Sequence, residues 1–364
     1  MLLSEILNYL EGQMPFALQE DYDNSGLIIG NASKEVKSAL ICLDITEEIM
    51  KESISRNCDL IISHHPLVFK GIKRFTGKNI TERLVEEAIR NNISIIALHT
   101  NIDNHPLGVN SILCRKLGIM NPRILRPMGG LLKKLATFVP ASHADKVRTS
   151  LFEAGAGTIG NYDSCSFNIA GRGTFRALEG SSPFVGEQGK LHVEQEEKIE
   201  VIYSAFLEKK ILSALLSSHP YEEVAYDIYQ LANKMPYAGA GMIGELDAAQ
   251  EPLDYLAFVK ATLSLGSLRH TELPNKKIKK IAVCGGSGSF LIADAIAAGA
   301  DLFLTGDIKY HDFFLPEKQM LLADVGHYES EQFSKELIFT LLNKKFPTFA
   351  LLISKTPTNP VNYL

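Results

Sequence analysis

Residues 39–65, ALICLDITEEIMKESISRNCDLIISHH, and residues 281–307, IAVCGGSGSFLIADAIAAGADLFLTGD, are two versions of one pattern. Each opens on a short apolar run containing a cysteine, passes through a helix-period stretch, and closes on Asp-Leu, two apolar residues and a hydroxyl residue. Cys42 to Asp59 and Cys284 to Asp301 both span 17 positions, so the register holds without a gap. Strand, helix, strand in that order predicts a duplicated βαβ unit with parallel strands and a right-handed crossover. A further helical stretch and apolar strand follow each copy: ISIIALHTNID from Ile93, and QMLLADVGH from Gln319. Parallel sheets of this kind place ligand sites at the carboxyl ends of their strands, so those ends are where chemistry is sought.

Between the copies the character changes. From about residue 129 the chain reads strand and helix (KKLATFVPASHADKVRTSLFEAGAG), then Gly- and Ser-rich strands, then strand, helix, strand (KIEVIYSAFLEKKILSALLSSHPYEEVAYDIYQL). The order β-α-β-β-α-β is the split βαβ, ferredoxin-like pattern and is complete in itself. The expected fold is therefore an α/β core with helices flanking its sheets, built from residues 1–128 and 234–364. An α+β ferredoxin-like domain is inserted at 129–233.

At 364 residues the chain is long for one core. Its 46% hydrophobic and 22% charged residues are ordinary for a globular protein. A formal net charge of -5 argues against a chain that coats nucleic acid. The local basic stretches FKGIKRF and NKKIKK read as solvated faces. MLLSEILNYLEGQ carries Glu5 inside its apolar stretch and reads as an amphipathic helix rather than a signal peptide. No run reaches the roughly 18 apolar residues of a membrane span. Five cysteines without a CxxC pair suit a reducing compartment and argue against a disulfide frame or a thiolate zinc site. A cytoplasmic protein with no membrane partner is the expectation.

Three strand ends carry chemistry. Ser63-His64-His65-Pro66 delivers two imidazoles to the sheet edge. Pro66 biases His65 toward extended backbone, so the rings are expected to diverge, an arrangement suited to two metals. After ISIIALHTNID stands Asp103, with His99 four residues before it. After LLADVGH, the stretch HYESE places His327 and Glu331 four apart on one helical face. Together these strand ends offer three imidazoles and two carboxylates, a set fit for zinc, iron or manganese. Asp23 and Asn24 in DNSGL are candidates to position a substrate or hydrogen-bond to ligands. Asp307 and His311 are candidate supports of the ligands. The CGGSGS loop at 284–289 is a candidate anion cradle, although it lacks the GxGxxG spacing and the P-loop ending.

DNSGL from Asp23, SHHP from Ser63, HTNIDNHPLGVN from His99, GAGMIGEL from Gly239, CGGSGS from Cys284, LTGDIKYHD from Leu304 and DVGHYESE from Asp324 together resemble the Nif-three-like dinuclear-metal family. Bacterial members of that family carry the name GTP cyclohydrolase 1 type 2 homologue. The resemblance covers about two-thirds of the chain, in both halves. The middle region resembles the PII-like or CutA-like insert of its longer members. The resemblance implies an α/β core, two divalent metal ions per subunit, zinc foremost, and a homohexameric ring made of trimers. Its metal ligands carried over by position are His64, His65, Asp103, His327 and Glu331, the five residues found at the strand ends.

Hydrolysis is the natural reaction class for a two-metal site, with His99 the candidate for proton transfer or for orienting a ligand. The first expectation is a metal-dependent hydrolase of a nucleotide or related small molecule, possibly phosphorylated. The alternative is a non-enzymatic metal-binding regulatory or metal-delivery protein whose insert senses a small molecule or a partner. A ring enclosing nucleic acid, with FKGIKRF lining the hole, is a third and less favoured expectation.

Overall fold

The computed structural model describes all residues, 1–364, and divides the chain into two compact units: Met1–Pro127 with Pro236–Leu364, and Met128–Met235.

The first unit holds two sheets. One runs Gly26–Ile29, Ser94–Ala97, Leu60–Ser63, Ser38–Cys42, Ala350–Ile353 from edge to edge. The last four strands are parallel, and Gly26–Ile29 lies antiparallel on Ser94–Ala97. The other runs Arg269–His270, Leu321–Asp324, Leu302–Gly306, Ile278–Ser287, Met235–Gln250, Met120–Met128. Its strands Ile278–Ser287, Leu302–Gly306 and Leu321–Asp324 are parallel, and the short strand Arg269–His270 lies antiparallel on the third. Each copy of the repeat thus builds three adjacent parallel strands with an antiparallel strand beside the third. The chain's last strand, Ala350–Ile353, joins the first copy's sheet rather than the second's.

These strands are near-continuous apolar runs because both faces of each sheet are covered. Leu60 and Ile62 pack against Leu3, Ile6 and Leu10 of the helix Leu3–Gln13 and against Ile338 and Leu342 of the helix Ser334–Lys345. The intervening Ile61 faces Ile49, Met50, Leu84 and Ala88 on the other side. In the second sheet Val283, Leu302 and Leu304 meet Tyr255, Leu256 and Val259, while Ala282, Phe303 and Leu322 meet Leu291, Ile292 and Ala295. The alternation follows from the strand period of two. Leu3, Ile6 and Leu10 fall at the i, i+3, i+7 spacing that gives a helix one buried face.

The unit Met128–Met235 contains the strands Leu132–Pro140, Phe167–Arg176, Leu191–Ser204 and Tyr226–Gln230 and the helices Ala144–Glu153 and Glu208–Ser218. Leu191–Ser204 and Leu132–Pro140 lie at the centre of an antiparallel sheet, with Phe167–Arg176 and Tyr226–Gln230 at its edges. That order is the split βαβ arrangement. Its core joins Leu135, Val139, Ile199 and Val201 of the sheet to Val147, Leu151, Ile211 and Leu215 of the helices. No helix in the chain is long and apolar enough to cross a membrane.

Candidate metal centre

Three strand ends of the first unit bring five residues to one place. His64 and His65 follow directly on the strand Leu60–Ser63, and their amides continue its ladder by donating to the Cys42 and Leu43 carbonyls. Asp103 closes the short helix Thr100–Asp103, which begins just beyond the strand Ser94–Ala97. His327 and Glu331 open and close the short helix that follows the strand Leu321–Asp324. Both carboxylates therefore come from the turn after the third parallel strand of their own copy, as the duplication requires.

Glu331 Oε2 is the hub. It lies 3.0 Å from His65 Nε2, 2.9 Å from His327 Nε2 and 3.6 Å from His64 Nε2. On the far side, His64 Nε2 faces Asp103 Oδ1 at 3.7 Å. Each imidazole is anchored through its other nitrogen: His64 Nδ1 on the Leu98 carbonyl at 2.8 Å, His65 Nδ1 on Asp44 at 2.6 Å and His327 Nδ1 on Asp307 at 2.6 Å. Fixing Nδ1 as the donor leaves Nε2 to bind elsewhere, which is how metal-ligating histidines are held. His64, His65 and Glu331 bring their donor atoms within 4.8 Å of one another and could hold a metal ion. His64 Nε2 and Asp103 Oδ1 are buried without a hydrogen-bond partner. Buried polar atoms are seldom left so, and here both turn toward the same gap. Imidazole nitrogen with carboxylate oxygen is a donor set suited to divalent metals, so the residues present fit such an ion.

The two adjacent histidines differ in charge because their surroundings differ. Burial lowers the pKa of His64 and keeps its ring neutral. Burial opposes charge on His65 too, but hydrogen bonds to Asp44 and Glu331 outweigh it and carry the ring to about 10. His327 is raised in the same way to about 9, burial being outweighed by Glu331 and Asp307. Burial and the neighbouring Glu331 push Asp103 well above the usual carboxylate range. Glu331 is held well below it, since the imidazoles around it overcome its burial.

The expected divergence of His64 and His65 is corrected by this geometry. Their ring centroids lie 4.9 Å apart, tilted by 47°, and both Nε2 atoms approach the same Glu331 oxygen. His64 Nε2 also faces Asp103 and His65 Nε2 also faces His327, but the two rings do not go to separate places. His99 lies close by, its ring 5.4 Å from that of His64 and 5.3 Å from that of His65. Its Nδ1 is bound to Asp23 at 2.7 Å. Asp23 also accepts from the Thr100 amide and hydroxyl. Burial would raise the Asp23 carboxyl, but these hydrogen bonds hold it well below its ordinary value. Asp23 thus orients His99 rather than one of the five clustered residues, while the Asn24 side chain donates to the Val68 carbonyl.

His311 does not join the site. It lies on an exposed turn against Tyr310 and Phe314. The glycine loop does not present its first amides to an anion either, since Gly285 N donates to Asn110 and Gly286 N to Ser330. Gly286 is there for closeness: at φ +62° it passes so near the cluster that a Cβ would collide with Glu331 Oε1. Sequence reading gave no role to Asp44, which orients His65. The available signal was its place, two residues beyond Cys42 at the carboxyl end of a parallel strand.

A family model described as Duf34/NIF3 (NGG1p interacting factor 3) matches residues 1–360. A Bacillus subtilis protein named GTP cyclohydrolase 1 type 2 homolog is 36% identical over 370 residues, covering 99% of this chain and 98% of that protein. A Staphylococcus epidermidis protein of the same name is 34% identical over 371 residues, with full coverage of both. The solved structure of a Bacillus cereus protein described as related to NIF3 superposes with a TM-score of 0.85 at 35% identity, covering 100% of this chain and 99% of that one.

Proposed function

The chain belongs to the Duf34/NIF3 family, and from that membership and the cluster around Glu331 we propose that it holds two divalent metal ions and hydrolyses a nucleotide or related small molecule. One observation supports the two-ion reading: Glu331 Oε2 lies within 3.6 Å of three imidazole Nε2 atoms, of which His64 also faces Asp103 at 3.7 Å and His65 also faces His327 at 3.3 Å. Those five residues would hold the ions, zinc foremost, with iron or manganese also suited to the donor set. When bound, such a pair acidifies water and polarises an electrophile, which is the chemistry of hydrolysis. The name shared by the relatives supports a purine nucleotide as the class to test first.

The chain's own residues supply the rest. Asp44, Asp307 and the Leu98 carbonyl keep three Nε2 atoms aimed inward. Asp23 holds Nδ1 of His99, leaving Nε2 of that ring to accept or return a proton beside His64 and His65. The assembly we propose with this reading is a homohexamer made of two trimers, in the cytoplasm.

Metal analysis of the purified protein tests the proposal. Two ions per chain are expected in the native protein and no more than one in His65→Ala or Asp103→Ala, with GTP and related compounds turned over only by the loaded native protein. One ion or none in the native protein would overturn the two-ion reading, and absence of turnover across a broad hydrolase panel would overturn the enzymatic one.

A second reading has its own support. The unit Met128–Met235 carries a cavity of about 750 Å³ lined by Phe138, Phe175, Phe184 and Tyr221 among others, room for a small molecule. A PII- or CutA-like sensor there, governing a metal-binding regulatory or delivery protein, would release metal readily to an acceptor and need no turnover.

A further inference from the structure

The cavity of about 750 Å³ in the unit Met128–Met235 has a partly bare floor. Gly171 and Gly173 stand inside the edge strand Phe167–Arg176, on the face of the sheet away from its helices. Glycine weakens a strand, and inside one it marks a bulge, a bend, or the close approach of a ligand or another backbone. Here the pairing with Leu191–Ser204 runs from Phe167 opposite Glu200 to Arg176 opposite Leu191 without a shift in register, so there is no bulge. Neither glycine has a positive φ, so neither is kept for a turn. A Cβ on Gly173 would collide with Glu196 Oε2, whereas a Cβ on Gly171 would meet nothing within 4 Å. Gly173 therefore makes room for a carboxylate, and Gly171 leaves a hollow that no other part of the chain fills.

Aromatic rings line that hollow. Phe175, two positions beyond Gly173 on the same face, lies 6.0 Å from the Tyr221 ring, and Tyr221 lies 6.3 Å from Phe184. Phe184 belongs to the segment 178–189, which walls the cavity. That segment is fastened by Ser182 N donating to Glu222 Oε1 at 2.7 Å and Gly189 N donating to the Ala177 carbonyl at 2.8 Å. Glu196 is the carboxylate among the rings. Its Oε1 accepts from the Tyr221 hydroxyl at 3.0 Å, and its Oε2, over Gly173, has no hydrogen bond. Lys198, next along the same face, is paired with Glu200 at 2.6 Å instead. Arg172 and Arg176 leave the edge strand on the opposite face by alternation. An ionised carboxylate only accepts, so the free oxygen suits a donor, and the rings suit a flat apolar body.

We propose that this cavity binds a small, flat aromatic molecule that lies over Gly171 among Phe175, Phe184 and Tyr221 and donates one N–H or O–H to Glu196 Oε2. The proposal deepens the sensor reading given above, on which its regulatory meaning rests, by naming the class of molecule sensed.

Indole and 1-methylindole share one ring system and differ in the N–H, so they form the test pair. Ligand-observed NMR titration of the full chain is expected to show indole binding about tenfold more tightly than 1-methylindole. Glu196→Gln removes the charge but not the shape and is expected to cut that preference about threefold. Gly171→Leu fills the hollow and is expected to weaken indole more than about tenfold, while the thermal midpoint holds or rises because leucine weakens a strand less than glycine does. Absence of indole binding to the native chain, equal binding of the two compounds, or a preference that Glu196→Gln leaves unchanged would each overturn the proposal. So would a Gly171→Leu chain that still binds indole, or one that unfolds and thereby shows the glycine to be kept for the backbone. Metal release to a chelator is read separately. A chain that binds indole as described and releases metal at an unchanged rate refutes the sensor reading alone.

Discussion

His65 Nε2 and His327 Nε2 stand 3.3 Å apart although 262 residues separate them in the chain. Glu331 Oε2 touches both. Two ring nitrogens brought this close, each anchored from behind by its own aspartate, have one task in common. Glu331→Gln keeps the shape but removes the charge between the rings, and zinc capacity measured after dialysis is expected to fall below that of the native chain. Asp44→Asn and Asp307→Asn leave all five proposed ligands in place. Each is expected to weaken metal affinity about 10- to 100-fold, measured by competition with a chelator.

The histidine pair also sets a pH dependence. With pKa values of about 10 and about 9 in the metal-free protein, His65 and His327 are both protonated at pH 7. Metal requires them neutral, so zinc binding at that pH is expected to expel about two protons from these rings. Calorimetry in buffers of differing ionisation enthalpy counts them, and zero release would contradict the assignment. Affinity for metal is expected to climb with pH through 9 to 10.

Stability of the metal-free protein moves the opposite way. Both folded pKa values exceed the ~6.5 of an unfolded histidine. The stabilisation from the charged rings is therefore complete below about pH 6.5 and lost as pH rises through 9 to 10. Thermal unfolding of metal-free protein across that range is expected to show a falling midpoint, and loading with zinc is expected to remove the fall.

Gly286→Ala places a methyl group against Glu331 at a left-handed backbone position. The strain expected is about 1–3 kcal/mol, accompanied by loss of bound metal. Gly12→Ala is the companion: its Cβ would meet nothing within 4 Å in the helix Leu3–Gln13. A gain of about 0.5–1 kcal/mol is expected there, and urea titration distinguishes the two.

Phe303 is fully buried in the central strand of the second sheet, between Leu291, Ile292 and Ala295. Phe303→Ala is expected to cost about 3–5 kcal/mol, read by urea denaturation. Its effect on metal content is expected to be small while the chain remains folded, because no ligand touches the ring.

The repeat of residues 39–65 and 281–307 determined the two sets of parallel strands, since strand and helix periods are local and a gap-free register can be read along the chain. The strand ends bearing His64, His65, Asp103, His327 and Glu331 were legible for the same reason: residue types that bind metal stand where parallel strands stop. Other features depended on the tertiary structure. That Glu331 Oε2 sits among three imidazoles, that His64 and His65 converge rather than diverge, and that Asp44 backs His65 are results of packing between segments up to 266 residues apart. The C-terminal strand's choice of the first copy's sheet has no local signature either. Alternation along a strand tells which way a side chain leaves the backbone. Which oxygen or nitrogen it meets is decided by how the two sheets and their helices close on one another.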